Sequence, residues 1–241
     1  MFAATRHITP VHKQAPYSSK SSITLSGFIL TQTCSSIMHS FSELLQQRAS
    51  TNHYDSGRTL SQDTIQDLID QATRAPSAYN MQNWSFLVVH STAAKEKLLP
   101  IAYGQRKVLD AAATIIINGL SDGHATMQQR FKSLVEQDLL PAALVEQWAQ
   151  GANRSYQNKP QAQRDEAIRS ASLAGMTLML AAQARGLATG PMIGFDAQAL
   201  QQEFGLSEFE IPAIMITLGY PEPEQAAQKP RLPASSLTRF V

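Results

Sequence analysis

Ala171-Ser172-Leu173-Ala174-Gly175-Met176-Thr177-Leu178-Met179-Leu180-Ala181-Ala182 is the stretch on which the fold turns. As a helix it is small or apolar nearly all round, so it has no polar face to give to water, and its small residues let another helix approach closely. The helical pattern runs over residues 161–185, with Gly186 placed to end it. Such a helix belongs at the centre of a domain, and its uniform apolarity suits a subunit interface as well.

Working outward toward the C-terminus, residues 190–194 (G-P-M-I-G) read as a loop. Asp196 caps a helix that ends at Gly205, and residues 211–218 (I-P-A-I-M-I-T-L) read as a strand. Residues 229–241 carry K-P-R-L-P and then a strand-like S-L-T-R-F-V. Pro221, Pro223 and Pro230 keep this tail from packing as a helix, so it must run extended over something, such as a second subunit.

Toward the N-terminus, residues 84–89 and 113–117 (A-T-I-I-I) read as strands, the second continuous enough to be buried on both faces. Ser61 caps a helix carrying Ile65, Leu68, Ile69 and Ala72, which Pro76 ends near Ala75. Residues 38–47 form a short amphipathic helix with Phe41, Leu44 and Leu45 on one face, and residues 94–99 a helix stopped by Pro100. Residues 122–150 are helix-rich and more polar, broken at Pro141. Regular strand-helix-strand crossovers are too few for a doubly wound sheet, so the pattern predicts an α+β fold with one mixed sheet flanked by helices.

The 241 residues, 43% of them hydrophobic, suffice for one large domain, over 38–241. Residues 1–37 hold Arg6, Lys13 and Lys20 and no acid, and are rich in Ser and Thr. They read as a disordered tail, as translation from a start upstream of the natural one at Met38, or as a transit peptide. A net charge of +1 gives no reason to expect nucleic acid or an acidic membrane surface as partner. The apolar patch at 23–30 is too short for a membrane span. Cys34 is the only cysteine, which excludes a disulfide within the chain and points to a reducing, cytoplasmic compartment. The six histidines show no metal-binding spacing.

Three chemistries lack their motifs: the G-x-S-x-G elbow of serine hydrolases, the P-loop, and the G-x-G-x-x-G dinucleotide fingerprint. What remains is a set of basic and amide-bearing stretches: R-A-S-T-N at 48–52, A-P-S-A-Y-N-M-Q-N-W at 75–84, Y-G-Q-R-K-V-L-D-A at 103–111, G-L-A-T-G-P-M-I-G-F-D at 186–196, and K-P-R-L-P at 229–233. Singly, each also reads as turn chemistry or a solvated face.

Taken in order, these stretches, the small-residue helix and the I-T-L-G-Y strand end make the chain from about 40 to 241 resemble the FMN-dependent nitroreductases. The resemblance implies an intertwined homodimer with C-terminal strand exchange. It implies FMN between subunits, NADH or NADPH as donor, and nitroaromatics or quinones as acceptors in a ping-pong cycle. Arg48 and Ser50, with Lys229 and Arg231 from the tail, would hold the phosphate, a role that suits guanidinium, ammonium and hydroxyl groups, and Ala49 would belong to the same cofactor site. Asn52, Asn80 and Gln105 would meet the polar edges of the flavin, and Lys107 would place a cation near N1 and O2 that tunes its potential. Backbone groups of Ile193 and Gly194 would face N5, shaped by Pro191 and Met192, with glycine allowing close approach. Pro76, Ser77 and Asn80 would serve the flavin of the partner subunit. Asn52 stands where a Lys or Arg is common, Ile193 where some relatives have Glu, and Asn83 where Pro is usual. The same fold also hosts enone reductases, dehalogenases and flavin-destroying enzymes, and a non-catalytic flavin-binding redox protein is the alternative from another class.

Overall fold

A continuous apolar strand makes the two sides of the molecule. The computed structural model describes residues 40–241, so the readings of residues 1–37, Met38 and Cys34 lie outside the described residues. Strand β2 (Ala113–Leu120) turns Ile115 and Ile117 into one core and Ile116 into another. A strand alternates its side chains between faces, so three consecutive buried isoleucines require helices on both sides.

Four strands make the sheet: β1 (Trp84–Val89), β2, β3 (Ala188–Met192) and β4 (Glu210–Gly219), in the order β1-β2-β4-β3. All three pairings are antiparallel, which corrects the expected mixed sheet. The helices between β1 and β2 lead out and back to the same end of the sheet, where Val89 faces Thr114. A return of that kind gives an antiparallel neighbour without a crossover. The only parallel contact among the described residues is a single bridge from Ser50 to Thr189.

Before the sheet come α1 (Phe41–Gln47) and α2 (Gln62–Ala72); between β1 and β2 lie α3 (Thr92–Ile101) and α4 (Lys107–Asp110). Then follow α5 (Gly123–Arg130), α6 (Lys132–Glu136), α7 (Ala142–Tyr156), the long α8 (Pro160–Ala184) and, after β3, α9 (Ala197–Phe204). One face of the sheet packs on α2 and α8, through Leu68, Ala174 and Leu178. The other packs on α3, α4 and α9, through Leu98, Val108 and Leu200. A third cluster, with Met127, Phe131, Val145 and Ala149, joins α5 and α7 beside the sheet.

The central helix is buried at Ala171, Ala174, Gly175, Leu178, Met179, Ala181 and Ala182. In the single chain its opposite side is open at Ser172 and Leu173. Ser40 and Glu43 form a reciprocal capping box that starts α1. Ser61 caps α2, Asp196 caps α9, and Gly205 ends α9 in the left-handed conformation, as the sequence predicts.

Three local expectations are corrected. Pro100 does not stop α3, which continues to Ile101. The stop is Tyr103 and Gly104, both at positive φ, where Gly104 N–H donates to Leu99 O at 2.9 Å and caps the last turn. The stretch 190–194 is a loop only after Met192; its first half completes β3 against β4. The tail from Ser236 onward forms no strand in the described chain. It makes a 3-10 turn at Ala234–Ser236 and leaves Phe240 fully exposed. No strand of the described chain pairs with this tail.

Candidate functional site

Three distant parts of the chain meet beside β3. Thr51 N–H donates to Thr189 O at 3.0 Å, which lays the 48–52 segment along the β3 edge. The approach is close because residue 190 is glycine: a Cβ there would lie 2.4 Å from Thr51 O and 2.5 Å from Thr217 Oγ1. Buried Tyr54, hydrogen-bonded to Thr217 Oγ1 at 2.8 Å, fixes the same junction. The strap after β4 is tied back alongside, with Asp55 N–H donating to Tyr220 O at 3.0 Å.

Between these parts lies a cavity of about 330 Å³. Arg48, Ala49, Ser50 and Asn52 form one wall, Pro191 and Lys107 the floor, and Ala226, Ala227, Gln228, Lys229 and Arg231 the strap over it. Its lining has four cationic side chains and no carboxylate. Such a set attracts an anion, and a phosphate with several donors converging on it is the best match in shape and charge. Burial pushes the Lys107 ammonium below its usual pKa. Its Nζ donates to Asn52 Oδ1 at 3.4 Å, so the residue standing where a second cation is common is a partner of the first.

Eight of the sequence-predicted site residues therefore share one cleft: Arg48, Ala49, Ser50, Asn52, Lys107, Pro191, Lys229 and Arg231. Gln105, Met192, Ile193 and Gly194 are not part of that lining. Gln105 Nε2 donates to Gly194 O at 2.9 Å, which pins the turn before α4 to the loop after β3. Ile193 is exposed, and Met192 is buried in the core against α3 and α9. Gln228 was missed by sequence reasoning; its only signal was its place beside K-P-R.

Pro76, Ser77 and Asn80 do not line the cleft of their own chain. They belong to a loop in which Tyr79, Asn80 and Gln82 all have positive φ, an arrangement that non-glycine residues hold only when their surroundings enforce it. Ser77 Oγ accepts from Gln82 N–H at 2.8 Å, and Tyr79 Oη is 2.8 Å from Ser155 Oγ. Arg130 reaches over from α5 and donates to the carbonyls of Met81 and Gln82. From α8, the buried carboxylate of Glu166 accepts from Ala78 N–H at 3.4 Å, from Ser170 Oγ at 3.0 Å and from Tyr156 Oη at 3.2 Å, and pairs with Arg169. Burial and the Glu166 carboxylate push the Tyr156 phenol up to about 12, so it stays a donor to that carboxylate at neutral pH.

A larger cavity of about 450 Å³ lies between α5, α6 and α7. Its walls include Val135, Ala142, Ala143 and Val145 beside Lys132, Glu136 and Glu146, a mixture with no convergent charge. Among the described residues no group of three or more His, Cys, Asp or Glu is placed to hold a metal ion, and no helix is long and apolar enough to cross a membrane.

Fold and cleft together define an α+β protein with a cationic cleft, suited in charge to a small anion, at the edge of an antiparallel sheet. The Nitroreductase family matches residues 45–220, and the chain belongs to that family. YodC of Bacillus subtilis, which carries a provisional name as an NAD(P)H nitroreductase, is 34% identical over 199 residues, 83% of this chain and 98% of that protein. A crystal structure of an Exiguobacterium sibiricum protein in complex with FMN, provisionally called a nitroreductase, superposes with a TM-score of 0.77 at 27% identity, over 84% of this chain and 98% of that one. The CLA biosynthesis enone reductase of Lactiplantibacillus plantarum is 26% identical over 85% of this chain and 96% of its own length.

Proposed function

We propose that the cleft beside β3 holds FMN and that the protein is an oxidoreductase passing electrons from NADH or NADPH to quinones, nitroaromatics or related small acceptors. The observation that carries this reading is a cleft with four cations and no carboxylate, drawn from both ends and the middle of the domain in a nitroreductase-family chain. When bound, FMN supplies the hydride acceptor and electron store that no side chain provides.

The chain's own groups do the rest. Arg48, Ser50, Lys229 and Arg231 grip the phosphate from two sides. Lys107, partly desolvated, sets a positive charge at the ring end of the cleft, where it favours the reduced anion. Asn52 and Gln105 offer amide groups to the polar edges. Pro191 shapes the face that leads to the backbone of Ile193 and Gly194, with Met192 anchoring that segment in the core. Donor and acceptor would use the same opening in turn, which gives ping-pong kinetics.

At about 330 Å³ the cleft is at the low end of the roughly 300–1,000 Å³ of small-molecule sites, so one chain encloses only part of the ligand. A homodimer completes it in this reading: Pro76, Ser77 and Asn80 of the partner subunit close the open side, and the exchanged tail pairs with the partner's sheet.

The purified protein should be yellow and should bleach on anaerobic addition of NADPH or NADH. A colourless protein that takes up no FMN would overturn the assignment, and a yellow one that neither nucleotide bleaches would make it a flavin carrier instead. The likeness to an enone reductase favours a second reading of the acceptor. Steady-state rates against quinones, nitroarenes and conjugated enones separate the two.

A further inference from the structure

From Glu222 to the C-terminus every residue is exposed except Gln228. Its amide is spent on two carbonyls far away in sequence: Nε2 donates to Leu45 O at 2.9 Å and to Arg48 O at 2.7 Å. These carbonyls lie at the end of α1, where the last turn leaves acceptors that no intrahelical N–H can reach. One planar NH2 group, with its two hydrogens, therefore caps the helix that carries Arg48 and ties down the strap that carries Lys229 and Arg231. Three residues earlier Gln225 makes a weaker version of the same tie, donating to His53 O at 3.1 Å.

We infer that Gln228 is a positioning residue for phosphate recognition: it fixes the distance between the Arg48 wall and the Lys229–Arg231 strap. This rests on the FMN reading above. Lysine and arginine side chains on an untethered strap would each lose rotamer and backbone freedom on gripping a phosphate, and the tie removes part of that loss before the ligand arrives. The Arg231 guanidinium is already folded against the strap, with Nη1 donating to Lys229 O at 2.7 Å, so locating the strap locates this charge too. Gln228 itself makes no charge contribution; it acts through its neighbours.

FMN and riboflavin share the ring and ribityl chain and differ in the phosphate, so their ratio of affinities isolates the claim. The full-length protein, stripped of flavin, is titrated with each by fluorescence quenching. Wild type should prefer FMN strongly. Gln228→Met, which keeps the length and removes the donors, should weaken FMN about tenfold and leave riboflavin within about twofold. Gln228→Glu, of the same shape but unable to donate, should lose more for FMN and no more for riboflavin; intact riboflavin binding reports that each variant is folded. Equal losses for both flavins, or FMN affinity unchanged in both variants, would overturn the inference and leave Gln228 a helix cap only. Wild-type protein that binds both flavins equally tightly would instead overturn the phosphate reading of the cleft, and this inference with it.

Discussion

Lys107 is the residue whose surroundings say most about chemistry. It begins a helix of four residues, is half-buried, and faces Asn52 across the cleft. A cation in a partly desolvated position interacts more strongly with charge that develops beside it than one in water would. Lys107→Ala should therefore keep most of its yellow colour and slow reduction by NADPH by something on the order of a hundredfold, measured by anaerobic stopped flow. An unchanged rate would remove the residue from the mechanism. The sequence named this lysine through a resemblance to a family motif; taken alone, Q-R-K reads as a solvated face. Gln228 shows the opposite failure. Its role depends on two backbone carbonyls about 180 positions away, and nothing in local composition encodes such a partner.

Among the elements, the 77–82 loop carries the sharpest stability prediction. Its left-handed residues are held by Arg130 from one helix and Glu166 from another. Arg130→Met leaves the carbonyls of Met81 and Gln82 without that donor and should cost roughly 1–3 kcal/mol, read from the urea midpoint. Hydrogen exchange should rise over this loop ahead of the sheet, and uniform loosening of the whole chain would contradict the clamp. Most elements were legible beforehand because their signals are local. Ser61, Asp196 and Gly205 mark helix ends, and the A-T-I-I-I run marks a strand buried on both faces. Strand β3 was not legible, since T-G-P-M has no apolar alternation and carries Gly and Pro, which disfavour strands; it is a strand because β4 pairs with it at the sheet edge. The sheet's antiparallel sense also escaped, because helix length alone does not reveal whether a connection crosses the sheet or returns.

At the scale of the molecule, uncovered apolar surface points the same way as the half-enclosed cleft. Leu173 on α8 and Phe41 and Leu45 on α1 are exposed in the single chain, and no residue of α1 is buried. An amphipathic helix with its apolar face open needs a partner. In the proposed dimer, Leu173→Glu should shift the protein toward monomer in light scattering and lower its flavin content in parallel. A variant that stays dimeric and fully yellow would place the interface elsewhere. The two clusters flanking the sheet would be unaffected, because both are complete within one chain.

The order β1-β2-β4-β3 puts β4, the last of these four strands to be synthesised, between β2 and β3 rather than at the rim. While the ribosome is still making residues 121–209, β2 has one neighbour and an open hydrogen-bonding side, flanked by Ile115, Ile116 and Ile117. An unpaired apolar edge of this kind is an aggregation hazard until its mate arrives. One of the two middle strands, β4, and the strap over the cleft both come from residues 210–231. Until that segment has emerged and paired, the nascent polypeptide keeps an open apolar edge and lacks two of the four cations of the cleft, so the sheet and the cleft are completed in one step.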